Sequence, residues 1–260
     1  MDIKLVATDL DYTLLRRDKG ISEYTKSVFA RCREKGILIA FATARSEKGA
    51  ARFSSQTAPD IFISNNGARA RMGSEELYKA VISPDALYGL IERCRDDPGI
   101  LQISLEADNG FYDSKPAILT LTSGWLDTSH MVITDFSELL DYGGVYKITI
   151  RTEDTALPKT IAQEFPAVIY DSTTGEDWYI FRDRYAVKEK ALTILAAKLG
   201  INMANIAAFG DEVNDIGMLR AAGTAVAVEN AIPEAKAAAD YICGDCDEDG
   251  VARWIENYIL

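Results

Sequence analysis

The sequence is poor in the residues that build soft-metal and disulfide sites. It has one histidine, His130, and four cysteines in 260 residues. Cys243 and Cys246 form a CxxC pair, but no second pair and no neighbouring histidine completes a four-ligand zinc site. The pair follows an apolar, strand-like run and does not open a helix, so it reads as a turn and not as a redox motif. Cys32 and Cys94 fall on helical apolar patterns and read as packed thiols. No hydrophobic run reaches the ~20 residues of a membrane-spanning helix. Met1-Asp2-Ile3-Lys4 leads straight into a strand pattern with no room for a signal peptide, which makes the cytoplasm the expected compartment. Cations are outnumbered, 28 Lys and Arg against 40 Asp and Glu, leaving a net charge of −12. Neither nucleic acid nor an anionic membrane is drawn to such a surface. Internal repeats and low-complexity segments are also lacking.

The apolar fraction of 48% and charged fraction of 26% are those of a globular chain long enough for one or two domains. Its most informative stretch is Leu5-Val6-Ala7-Thr8-Asp9-Leu10-Asp11-Tyr12-Thr13. An apolar strand pattern ends there in two acids spaced i, i+2, which share one face of a strand. Buried carboxylates at a strand tip are costly unless a cation compensates them, and a hard divalent cation takes such oxygen ligands. A calcium-binding EF-hand loop is the competing reading. It wants glycine at position 14 and glutamate at position 20, where this chain has Leu14 and Gly20.

Three later segments repeat the design of an apolar element with polar chemistry at its tip. Ile37 to Ala42 ends in Thr43-Ala44-Arg45. Ile206 to Gly210 ends in Asp211-Glu212-Val213-Asn214-Asp215. Lys188 opens a helical pattern, with Lys190 two residues on as the alternative register. In open α/β sheets the ligand crevice lies outside the carboxyl ends of the strands, so these tips are expected to share one site.

The alternation of strands and helices over residues 3–64 and 186–243 predicts an α/β fold. It is a Rossmann-like parallel-sheet core with helices on both faces. Residues 83–183 break that rhythm. They carry a helix capped by Ser83-Pro84-Asp85, a hairpin at Asp108-Asn109-Gly110, an alternating strand at 145–151 and a helix at 154–165. A second strand pair flanks Thr173-Thr174-Gly175-Glu176. The expected organisation is therefore a core of residues 1–82 and 184–260, interrupted by an inserted α+β cap at 83–183. The cap aromatics Trp125, Tyr170, Trp178 and Phe181 read as core residues before pocket residues.

In order and placement these motifs resemble the haloacid dehalogenase-like hydrolase superfamily. DLDYTLL looks like its first motif, Thr43 its second, Lys188 its third and GDEVND its fourth. The finer likeness is to the Cof-type sugar-phosphatase branch with a large cap, through Ser64-Asn65-Asn66-Gly67-Ala68 and Val226-Ala227-Val228-Glu229-Asn230-Ala231. About 34 residues separate the first two motifs and about 145 the second and third. Only the second gap has room for a large cap, whereas mutases of this superfamily place a small helical cap in the first.

The resemblance implies a Mg²⁺-dependent phosphatase acting on a small phosphorylated metabolite, such as a sugar phosphate. Asp9 would be the nucleophile forming an aspartyl-phosphate, and Asp11 the general acid and base. Mg²⁺ would be held by the Asp9 carboxylate, the Asp11 main-chain carbonyl and Asp211, with Asp215 orienting them. Leu10 and Ala44, through main-chain N–H groups, would bind phosphate with Thr43, Lys188 and Asn214. Asn65-Asn66-Gly67 reads as a turn before it reads as a ligand-binding loop. The alternatives are a phosphotransferase or mutase on the same core, and a non-catalytic phospho-acceptor switch. Tyr12 and Ala44 stand where relatives usually carry glycine, and Asp183-Arg184-Tyr185-Ala186 precedes Lys188 where they are more apolar. The sequence is silent on oligomeric state.

Overall fold

A computed structural model describes residues 1–115, 131–137, 141–172 and 177–260. The chain begins with β1 (Leu5–Thr8), α1 (Glu23–Glu34), β2 (Leu38–Ala42), α2 (Glu47–Thr57) and β3 (Ile61–Ser64). The strands are buried along nearly their whole length, as expected of parallel strands covered on both faces. Each helix starts on a serine cap: the Ser22 side chain accepts from the Thr25 N–H, and Ser46 from Gly49. A hairpin follows, β4 (Arg69–Met72) and β5 (Glu75–Lys79), which the sequence pattern does not announce. Its short, charged strands suit a sheet edge, where charge discourages further pairing.

Beyond β5 lies a second compact unit, Ala80–Ala186, and the first unit comprises Met1–Lys79 with Val187–Leu260. The second unit contains α3 (Pro84–Arg95), β6 (Gln102–Ala107), β7 (Gly110–Asp113), β8 (Met131–Ile133) and β9 (Val145–Arg151). It continues with α4 (Leu157–Glu164), β10 (Val168–Ser172) and β11 (Trp178–Asp183). Its sheet runs β10-β11-β9-β6-β7-β8. Alternation on β9 buries Tyr146, Ile148 and Ile150, and its core gathers Leu90, Ile91, Ile103, Leu105, Ile161 and Phe181. Ile82 belongs to this second core as well, which moves the first seam ahead of the residue the sequence pattern suggests. Of the cap aromatics, Phe181 is fully buried and Tyr170 packs against this core, while Trp178 is half-buried. Trp125, His130 and the Thr173–Glu176 turn lie outside the described residues.

The first unit resumes with α5 (Lys188–Lys198), β12 (Ile206–Gly210), α6 (Ile216–Ala221) and β13 (Thr224–Val228). It ends with α7 (Pro233–Ala237), β14 (Tyr241–Cys243) and α8 (Gly250–Tyr258). The full sheet order is β14-β13-β12-β1-β2-β3-β4-β5, parallel from β14 to β3 and antiparallel beyond. β1 therefore lies between strands from opposite ends of the chain, at the point where strand order reverses. That is where open α/β sheets form their crevice. All four cysteines are buried and free. No helix among the described residues is long and apolar enough to cross a membrane.

Candidate active site

Register brings the strand tips together. Thr8 pairs with Phe41 on one side and Phe209 on the other, so Asp9 leaves β1 beside Ala42 and Gly210. The Asp9 N–H donates to the Phe209 carbonyl at 3.0 Å. The chain then turns tightly, with the Leu15 N–H donating to the Leu10 carbonyl at 2.7 Å. This turn carries the Thr13 hydroxyl to Asp211 Oδ1, 2.6 Å away. Tyr12 sits in the turn at φ 58°, a left-handed conformation where glycine is the usual occupant. A tyrosine thus holds a left-handed conformation that glycine would adopt without strain.

Lys188 joins the two tips. Its Nζ donates to Asp9 Oδ1 and to Asp215 Oδ1, each at 2.7 Å, and the residue is 1% exposed. Lys190 is exposed, which excludes it as the buried partner. Asp215 Oδ2 accepts the main-chain N–H groups of Asp211 and Glu212 at 3.0 and 3.1 Å. A Cβ on Gly210 would lie 2.4 Å from the Asp215 Cβ, so only glycine lets Asp215 fold back against β12. Asp9, Asp211 and Asp215 each bring a carboxylate oxygen within 4.8 Å of the others.

Among the described residues three buried acids share one lysine, which leaves two carboxylates without a partner cation in a desolvated site. Burial, with Asp215 close by, pushes Asp211 up to about 7. Burial raises Asp9 well above the usual carboxylate range against the pull of Lys188. Burial works against the Lys188 charge as well, but Asp215 and Asp9 more than offset it and raise its pKa. An all-oxygen donor set with two unbalanced charges fits a hard divalent cation. A second acidic group, Asp245, Cys246 and Asp247, is different: Arg17 already donates to Asp245 at 2.7 and 2.9 Å and to Asp247.

Asp11 stands apart from this cluster. Its carboxylate takes Arg45 Nε and Nη2 at 2.7 and 2.8 Å and Lys19 Nζ at 2.9 Å. Burial alone would raise its pKa, but Arg45 and Lys19 outweigh burial and lower it. Lys19 Nζ also lies 3.9 Å from the centre of the Tyr12 ring. Thr43 is buried, and its Oγ1 accepts the Arg45 N–H at 3.1 Å. Ala44 is exposed and absent from the positive-φ residues, so the loss of glycine there is mild. The Leu10 side chain is fully buried, leaving only its main chain to face a ligand. The Asn214 amide donates to Asn66 Oδ1 at 2.8 Å.

The structure thus joins Asp9, Lys188, Asp211 and Asp215 by direct contacts and sets Asp11 against Arg45. Sequence reasoning placed Arg45 at the tip of β2 without assigning it a partner, and missed Thr13 and Lys19 as partners of the acids. Thr13 was detectable as the last position of the first motif. Lys19 had no signal, because only the turn at Tyr12 folds it back.

The model of the haloacid dehalogenase-like hydrolases matches residues 6–255, and the chain belongs to that family. Relatives include a 5-amino-6-(5-phospho-D-ribitylamino)uracil phosphatase, YcsE, of Bacillus subtilis, 28% identical over 100% of this chain and 97% of the relative. The pyridoxal phosphate phosphatase YbhA of Escherichia coli is also 28% identical, over the whole of both chains. Among solved structures, TM0651 of Thermotoga maritima superposes with a TM-score of 0.88 at 23% identity, covering 99% of this chain and 98% of that one.

Proposed function

We propose that this chain is a Mg²⁺-dependent phosphatase hydrolysing a small phosphorylated metabolite by way of a phosphoryl group carried on Asp9. A sugar phosphate is the first substrate class to test. The contact of Lys188 with both Asp9 and Asp215, beside Asp211, carries the reading. Lys188 occupies Oδ1 of Asp9 and leaves the other carboxylate oxygen to attack phosphorus in line.

Mg²⁺ would be held by the Asp9 and Asp211 carboxylates and the Asp11 carbonyl, with Asp215 behind them, and when bound supplies the charge that lets two anions meet. The phosphate oxygens would be held by the chain's own donors. Thr43 accepts from Arg45 and so keeps its hydroxyl proton to give. Asn214 spends one amide hydrogen on Asn66 and retains the second. Lys188 and the main-chain N–H groups of Leu10 and Ala44 complete the set.

Asp11 would protonate the leaving oxygen and then take a proton from the attacking water. Paired with Arg45 and Lys19 it is ionised, the form suited to the second step. Acting as an acid requires it to leave that pairing first. The substrates for which the relatives are named, a phosphoribitylamino-uracil and pyridoxal phosphate, are small phosphomonoesters, which supports the substrate class.

The test is phosphate release from a panel of phosphorylated metabolites with and without Mg²⁺. Asp9→Asn should lose at least about 10³-fold in kcat. Retained turnover in Asp9→Asn rejects the nucleophile. Transfer of phosphate to a second metabolite without net release would instead indicate a phosphotransferase, and a stable phosphoprotein an acceptor switch.

A further inference from the structure

A fifth segment, Ser64 to Ala68, touches three of the four motif segments and is bent into a rarely used conformation. Asn65, Asn66 and Gly67 have φ of 50°, 57° and 94°, three left-handed residues in a row. L residues seldom hold that geometry without compensation, and strain of this kind persists only where the surroundings over-determine it. The surroundings here are the motif segments themselves. The Asn65 N–H donates to the Arg45 carbonyl at 2.9 Å and the Asn66 N–H to the Thr43 carbonyl at 3.0 Å. A Cβ on Gly67 would lie 2.4 Å from the main chain of Val187, the residue before Lys188. The Asn66 side chain reaches the fourth motif, accepting from Asn214.

The loop is also polar where it is buried. Ser64 is 1% exposed and Asn65 6%, and Ser64 Oγ and Asn65 Oδ1 have no hydrogen-bond partner among the described residues. Buried polar atoms are nearly always satisfied, and a plain turn has no need to enclose two that are not.

From this geometry we infer that Asn66 is a positioning residue: its carbonyl oxygen fixes the amide of Asn214 so that the second N–H points to bound phosphate. An unheld asparagine amide rotates freely, and a donor preorganised toward developing charge is worth far more than one that must be ordered. The left-handed backbone at Asn66 is what turns its side chain toward Asn214. The inference rests on the phosphatase reading, with Asn214 as a phosphate donor.

The test is a double-mutant cycle of Asn66→Gly and Asn214→Ala. Glycine accepts φ near 57° without strain, so the substitution removes the amide and keeps the turn. Four proteins are compared by kcat, KM, thermal midpoint and inhibition by inorganic phosphate. Asn66→Gly should lower kcat/KM about tenfold and weaken phosphate inhibition, with the thermal midpoint nearly unchanged. Added to Asn214→Ala it should change kcat/KM less than about twofold, because the residue it acts through is gone. A purely structural role for the loop predicts additive losses and a lower thermal midpoint in both backgrounds; that result overturns the inference, as does an Asn66→Gly protein indistinguishable from the parent. A parent protein releasing no phosphate from any substrate defeats the phosphatase reading itself, whereas an active parent with additive losses defeats only the role of Asn66.

Discussion

Replacing Lys188 by methionine removes the ammonium that bonds Asp9 and Asp215 at 2.7 Å, from a position whose side chain is fully buried. Methionine keeps most of the stem, so the change is chiefly one of charge. Removing one member of a buried ion pair costs about 3–5 kcal/mol, because the other is left charged and desolvated. At about 2–4 °C per kcal/mol for a chain of this size, the thermal midpoint should fall by roughly 10 °C at pH 7.5 without divalent metal. The pH dependence follows from Asp9, whose folded pKa is raised above its unfolded value of about 3.9. Such a group stabilises fully below the unfolded pKa, and that stabilisation is lost as pH rises through the folded pKa. Lys188 pulls that folded pKa down, so its removal raises it further and extends the loss. The deficit should accordingly be large at pH 7.5 and shrink toward pH 4, as Asp9 takes up its proton. Melting followed by circular dichroism at both pH values measures it, with Lys190→Met as the exposed neighbour that should shift stability by less than about 0.5 kcal/mol. A deficit equal at the two pH values, or below about 1 kcal/mol at pH 7.5, would refute the charge-balance reasoning.

Three other outcomes are expected. Asp11→Asn should let a phosphorylated protein accumulate and slow its breakdown, and a rapid quench that finds no accumulation removes Asp11 from the second step. Because Asp9 and Asp211 are raised, the latter to about 7, Mg²⁺ must displace protons, so its affinity should rise as pH climbs through about 7. Calorimetry in two buffers of different ionisation enthalpy reads the protons released, and zero release contradicts the site. Tyr12→Gly should raise stability by up to about 1 kcal/mol through relief of the left-handed backbone, unless the ring's contact with Lys19 is worth more than that strain. A lower midpoint would show that the contact dominates.

How far the sequence carries depends on the kind of contact. Leu5 to Asp9 and Ile206 to Asp211 are legible because parallel strands buried on both faces read as unbroken apolar runs, and their acids fall at the ends. Lys188 is legible by its place at a helix start. The hairpin at Arg69 to Lys79 is hidden because its strands are short and charged, and α8 because it follows an irregular, acidic stretch. The embrace of Asp11 by Arg45 and Lys19 has no local signature, being made by side chains that meet only after the turn at Tyr12 closes. Asn66 was visible but ambiguous: Asn-Asn-Gly suits any tight turn, and only the bond to Asn214 separates the two meanings.

The bonds that complete the cluster span almost the whole chain: Lys188 lies 179 residues beyond Asp9, and Asp211 lies 198 beyond Thr13. A growing polypeptide emerging at ~5–20 residues per second exposes the first motif some 10–40 s before its partners exist. Until then β1 lacks β12 on one flank, and Asp9 is an ordinary hydrated acid with no reason to react. Nascent chains and C-terminal truncations should therefore be chemically inert, and their open strand edge makes them candidates for chaperone capture. On the proposed reading, reactivity at Asp9 waits until residues 188–215 have been made and docked.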